Sequence, residues 1–104
     1  MIPYVYIVVR NDIKKEHQLV QACHSALESG LTFNRPAKGV IHLVVLAVEN
    51  KWDLEGVAYK LDNQGIKYEM FNESWGGMGF TSLATEPIPK QNEGVLRILP
   101  LLEY

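Results

Sequence analysis

Residues 4–29 read YVYIVVRNDIKKEHQLVQACHSALES, and the fold turns on how this stretch divides. Tyr4 to Val9 is β-branched and aromatic with no clean alternation. That is the pattern of a strand buried on both faces, so it is expected at the centre of an α/β sheet. Glu16 to Ser29 carries helical periodicity instead. On a wheel of 100° per residue, Leu19, Val20, Cys23, Ala26 and Leu27 gather on one side, while His17, Gln21, His24 and Glu28 line up on another. The first stripe is expected to face the core.

The second stripe is a row of hydrogen-bonding groups, one per turn. Polar residues on the far side of an amphipathic helix are usually just solvated. Solvated faces, however, are generally rich in Lys and Glu, whereas Gln and His offer groups that donate and accept at fixed positions. The composition of the row leans toward a site. Both histidines cannot share one metal ion, because seven residues at about 1.5 Å rise set them roughly 10 Å apart along the axis. His24 and Glu28 have metal-pair spacing, but no third ligand is evident, so neither a metal nor a cofactor is expected.

Outward from this unit, Arg10, Asn11 and Asp12 follow the strand at its C-terminal end, where open α/β sheets place ligands. Lys14 and Lys15 make that corner locally basic. Gly30 is a natural helix C-cap, and LTFNRPAKG after it is a loop with Pro36 and Gly39 as breakers and Arg35 and Lys38 as added charges. Ile41 to Val48 reads as a second buried strand, with His42 on its edge or loop side. Asn50 can cap a helix over Lys51 to Asn63, whose apolar stripe is Trp52, Leu54, Val57, Ala58 and Leu61, and Gly65 ends it. Strand, helix, strand, helix at these spacings predicts parallel first and second strands with a right-handed crossover.

Lys67 to Phe71 and Thr81 to Thr85 predict third and fourth strands joined by NESWGGMGF. Gly76, Gly77 and Gly79 are no phosphate loop, since such loops run from a strand into a helix N-terminus and this one runs from strand to strand. Trp75 on that loop is expected to tuck back on the core; the other reading makes it a stacking surface for a base. Val95 to Leu102 is an apolar tail, read as a strand or helical turn packed on the sheet or as part of a subunit interface. The architecture expected for residues 1–104 is one α/β domain: a four-stranded mixed, mostly parallel sheet with helices packed on it, the last two strands antiparallel.

With 104 residues, 47% of them hydrophobic, the chain can bury one core without disulfides. Ten basic against twelve acidic residues, a formal charge of -2, argue against a broad nucleic-acid face but not against a local patch. One cysteine fits a reducing compartment. The opening MIPYVYIVV lacks a basic leader and is too short to span a bilayer. A cytoplasmic protein with no membrane partner is expected.

IVVRNDI, then a helix bearing QACHSALESG, then strand, helix, strand and finally TSLATEPIP resembles the class-2 peptidyl-tRNA hydrolase family. That family opens with a VVR-x-DL strand and turn, continues with a helix bearing Gln and then His followed by small residues, and closes with a Thr-led strand ending in Pro. The resemblance covers most of the chain in order. It implies hydrolysis of the ester joining a peptide to the 3′ end of tRNA, with the tRNA acceptor end as partner, and a homodimer, with which the apolar C-terminus is compatible. Asn11 and Asp12 match the family's turn, Gln21 and His24 the helix pair, and Thr81 the threonine of the last strand. His17 stands where the family's enzymes have a lysine, and Trp75 where they have an aspartate, leaving Glu73 as the nearest carboxylate.

Ester hydrolysis needs a positioned water, a group to take its proton, and donors aimed at the carbonyl oxygen. Histidine ordinarily titrates at about pH 6.5, which suits His17 to be the base, with Glu73 orienting it or replacing it. Gln21, Thr81 and the Asn11 amide are candidate donors, and Arg10, Lys14 and Lys15 would meet phosphates. Ser25 and Ser74 lack the surroundings of an activated nucleophile, and Cys23 belongs to the stripe assigned to the core. Direct attack by water is therefore the simplest mechanism. The rival reading is a non-catalytic module that binds tRNA ends or a protein on the same fold. A third, with little direct support, is a small-molecule binding protein whose pocket wall is the polar stripe.

Overall fold

The structure, a computed structural model, describes residues 2–34 and 39–103; Arg35, Pro36 and Lys38 lie outside the described residues. The elements run β1 (Tyr4–Arg10), α1 (Lys15–Thr32), β2 (His42–Val48), α2 (Lys51–Asn63), β3 (Tyr68–Glu73), a 3-10 turn (Trp75–Gly77), β4 (Gly79–Thr85) and α3 (Val95–Ile98). They form a single α/β domain with a mixed open sheet in the order β2-β1-β4-β3.

β1 is central, as its composition requires. It pairs in parallel with β2 from Tyr4↔His42 to Arg10↔Val48 and antiparallel with β4 at Ile7↔Ala84, Val8↔Leu83 and Val9↔Ser82. The expectation of a mostly parallel sheet holds for strand direction and fails for pairing. Three strands run one way, but β4 inserts between β1 and β3, so only the β1–β2 ladder is parallel. β2 is an edge strand, and its first half is exposed rather than buried. His42 stands at its start, its ring stacked on Tyr4 at 5.1 Å.

The helices take opposite faces. Tyr6 and Val8 of β1 point toward α2, joining Leu46, Val48, Leu54, Leu61 and Leu83 in the larger core; Val5, Ile7 and Val9 point toward α1, with Ala22 and Ala84. α2 has the expected bounds, and Asn50 caps it by accepting from the Asp53 amide at 2.9 Å. Leu54, Val57, Ala58 and Leu61 face inward; Trp52, placed in the same stripe from sequence, is exposed. Gly65 closes the helix with φ of +72°, a conformation that strains any residue with a Cβ.

α1 is turned relative to the sequence reading. Its buried residues are Gln18, Gln21, Ala22, Ser25 and Ser29, while Leu19, Val20, Cys23 and Leu27 are exposed; of the stripe assigned to the core, only Ala26 is partly covered. The sheet beneath explains the choice. β4 presents hydroxyls and carbonyls to this face, and leucines laid over them would leave buried polar atoms unpaired. Small and polar groups of α1 pair them: Ser29 Oγ donates to the Thr85 carbonyl at 2.7 Å, Gln21 Oε1 accepts from the Thr81 hydroxyl, and the Gln21 backbone carbonyl accepts from Ser82 Oγ at 2.8 Å. Nor does Gly30 cap the helix. α1 continues to Thr32 and ends where Phe33 turns extended.

The apolar tail packs on the domain. Val95 and Leu96 enter the α2-side core, and the segment after α3 runs antiparallel along the outer edge of β2, Ala47 N donating to Pro100 O and Leu102 N to Val45 O, both at 2.9 Å. Among the described residues no helix is long and apolar enough to cross a membrane.

Candidate active site

β3 and β4 lose register between Phe71 and Asn72: Phe71 faces Ser82, but Asn72 faces Phe80. Thr81 is the extra residue of a β-bulge, and a bulge re-aims side chains. Phe80 and Leu83 both join the α2-side core, whereas the adjacent Thr81 and Ser82 both bond Gln21 on the α1 side. Without the extra residue, alternation would send Thr81 away from α1.

Gln21 sits where α1, β3 and β4 meet. It is 1% exposed, and Thr81 is fully buried. The Thr81 hydroxyl donates to Gln21 Oε1 at 2.5 Å, and Gln21 Nε2 donates to Glu73 Oε1 at 3.4 Å. The amide orientation follows from the partners, since an ionised carboxylate only accepts. The bond to Thr81 is the shorter and the more buried of the two, so Thr81 chiefly fixes the carboxamide, with Glu73 at the less buried end of the chain of bonds.

His17 lies one turn before Gln21 and stacks on Trp75, ring centroids 5.3 Å apart and 15° from parallel. The expectation that Trp75 tucks onto the core therefore fails: it is 63% exposed and covers an imidazole. One turn after Gln21, His24 stacks on Phe71 at 4.4 Å and 2°. His17, Gln21, His24, Glu73, Thr81 and Trp75 thus share the groove between α1 and the β3–β4 hairpin, and His17 and Glu73 lie on the same side of the sheet. Phe71, read from sequence only as the end of a strand and not as a site residue, is signalled by period-two spacing, which puts it on the same strand face as Glu73.

The β1 corner is differently employed. Arg10 grips Asp12 through two bonds of 2.9 and 3.1 Å and donates to the carbonyls of Met78 and Phe80 at 2.8 and 3.1 Å. Its guanidinium therefore anchors the glycine loop, with Asp12 offsetting its charge, and the expected phosphate contact has no such free group. The Asn11 amide, considered as an oxyanion donor, extends the parallel ladder by bonding Val48 O at 2.8 Å. Gln18 Nε2 reaches back to the carbonyls of Ile13 and Asn11 at 2.6 and 3.3 Å, fixing the turn. Lys14 and Lys15 are exposed beside it. The loop leads from strand to strand, as expected, and Gly76, Gly77 and Gly79 all take positive φ, 65–70°, which is why its tip needs three glycines.

A concavity of about 440 Å³ lies on the far face between α2 and the C-terminal segment, its lining including Val48, Trp52, Asp53, Lys60 and Ile98. No three His, Cys, Asp or Glu side chains among the described residues come together to hold a metal.

No protein-family model matches the chain, and no curated protein matches it.

Proposed function

We propose that this chain has the class-2 peptidyl-tRNA hydrolase fold and hydrolyses the ester between a peptide, or an N-blocked amino acid, and the 3′ end of tRNA in the cytoplasm. The observation that carries this reading is the Gln21 carboxamide, buried and oriented by Thr81 with its N–H groups toward Glu73. One Nε2 hydrogen points at the carboxylate, so the buried amide acts through Glu73, positioning it, rather than by meeting the scissile carbonyl itself. Glu73, half-buried at the rim, is placed to take the proton of an attacking water. His17, held flat by Trp75, is the second base candidate and takes the position of the family's lysine. His24 lines the groove on Phe71. The acceptor end would meet Lys14, Lys15 and the open face of Trp75, on which a base can stack.

A binding module without turnover is the second reading. The His17–Trp75 stack favours it, because a ring covered on one face serves stacking as readily as proton transfer. Release of labelled N-acetyl-aminoacyl groups from tRNA, run with His17→Ala and Glu73→Gln, separates the two. Hydrolysis by the wild type that drops at least tenfold in either variant supports the esterase. Salt-sensitive tRNA binding without hydrolysis supports the module, and neither binding nor hydrolysis removes both readings.

A further inference from the structure

The two edges of the sheet are treated differently. The C-terminal segment covers one, bonding Val45 O and Ala47 N of β2. The other is β3, and among the described residues only β4 and α1 pack extensively against it. The register fixes which groups it leaves open. Lys67 O accepts from Glu86 N at 2.9 Å, so alternation turns the backbone N–H and C=O of Glu69 and Phe71 toward β4, and those of Tyr68, Met70 and Asn72 outward. Among the described residues no other backbone segment bonds this outward row. Nor does the strand carry the lysine or proline that ordinarily blunts an open edge.

We infer that this edge holds the peptide of the ester substrate as an added strand, running parallel to β3 with its ester carbonyl beside Glu73. The inference rests on the hydrolase reading and names what that site recognises: the main chain of a peptide of several residues, whatever its side chains. Continuity selects this occupant. Glu73 is at once the last residue of β3 and the carboxylate of the proposed site, so a chain laid on this edge runs to the reacting bond. With the ester-bearing residue opposite Glu73, its N–H meets Asn72 O, and the residue two before it meets Asn72 N and Met70 O. Earlier residues pass Tyr68, beyond which the edge opens into a concavity of about 610 Å³ whose lining includes Phe33, Ile66, Lys67 and Glu69. An added strand lies about 4.8 Å outside β3 in the plane of the sheet. The face under α1, where His17 stacks on Trp75, is left to the tRNA end.

Hydrolysis by the purified protein of tRNA esters that differ in peptide length tests this. From the N-acetyl-aminoacyl to the N-acetyl-tetrapeptidyl ester, KM is expected to fall roughly tenfold, as a few added hydrogen bonds imply, with kcat little changed. Methylating the peptide nitrogen two residues before the ester-bearing residue, which faces β3, should forfeit that gain. Methylating the nitrogen of the residue between, which faces away, should keep it. On the protein, Asn72→Pro removes an outward N–H without touching the β4 ladder; it should forfeit most of the gain with its circular-dichroism spectrum unchanged, while Asn72→Ala keeps the gain. Should Asn72→Pro fail to fold, the methylated esters decide on the wild type alone. Equal KM at both lengths, or a gain indifferent to both methyl positions, overturns the inference and leaves the hydrolase standing. A gain that a folded Asn72→Pro retains places the peptide elsewhere and overturns it equally. No hydrolysis of either ester removes the hydrolase reading and this inference with it.

Discussion

Replacing Thr81 by Val tests the bond at the centre of the site. The two side chains have nearly the same shape, so packing is preserved, but the hydroxyl that donates to Gln21 Oε1 is gone. Both groups are buried, Thr81 fully and Gln21 to 1% exposure, so no bulk water replaces the donor. An orphaned buried acceptor costs about 1–3 kcal/mol, and complete burial puts this one near the upper half, ~2.3 kcal/mol. The added methyl recovers roughly 0.8 kcal/mol of apolar burial. The net loss is about 1.5 kcal/mol, which for a domain of this size lowers Tm by roughly 6–12 °C. Urea unfolding should show the midpoint fall with an unchanged slope. A second variant, Thr81→Val with Gln21→Met, removes donor and acceptor together and is expected to regain most of the loss, because half-buried Glu73 can take water in place of the Gln21 amide. A single variant within ~0.5 kcal/mol of wild type would refute the claim that this bond orients the carboxamide.

Tyr68 gives a pH prediction. Burial, and then the hydrogen bond to Asp62 and that carboxylate's charge, raise its pKa above the usual 10.0. A raised folded-state value means stability that is fully present below about pH 10 and is lost as pH rises through the higher value. Ultraviolet titration should show one phenol ionising late, missing in Tyr68→Phe; superimposable curves would remove the assignment. Arg10→Met strips the anchor from the glycine loop and should accelerate amide exchange across Trp75–Gly79 while β1 remains protected. Gly65→Ala forces a Cβ into positive φ and should cost about 1 kcal/mol in chemical denaturation; no loss would mean the α2 terminus relaxes into another turn.

Local signals carried much of the fold because they were locally decided. β1 was readable as central since nothing in Tyr4 to Val9 is polar enough to face water, and α2 since cap, stripe and terminating glycine agree. α1 was misread because a helix wheel ranks faces by hydrophobicity without knowing what lies beneath. The better signal was size: Ala22, Ser25 and Ser29 at spacings of three and four mark a face made for close approach. The position of β4 between β1 and β3 was not readable from any local pattern, since it depends on which distant edge wins. Gln21, Thr81 and Glu73 were legible as candidates, yet their meeting depends on the bulge at Thr81, which a single strand's composition does not announce. Arg10 and the Asn11 amide looked available because a sequence shows donors without their partners.

The strand order also dictates how the molecule comes into being. β1 is buried along all but its ends, yet its two neighbours arrive at very different times: β2 follows one helix later, whereas Ile7 and Val8 must wait for Ala84 and Leu83. A nascent chain that has emerged through α2 holds β1 sealed along one flank and bare along the other, with Val8 still open to solvent. Until the β3–β4 hairpin leaves the ribosome and slides in, that flank is a hydrophobic template offered to any passing strand. The strand order therefore leaves one long-range pairing to be made last, with the unpaired flank exposed to wrong partners until it forms.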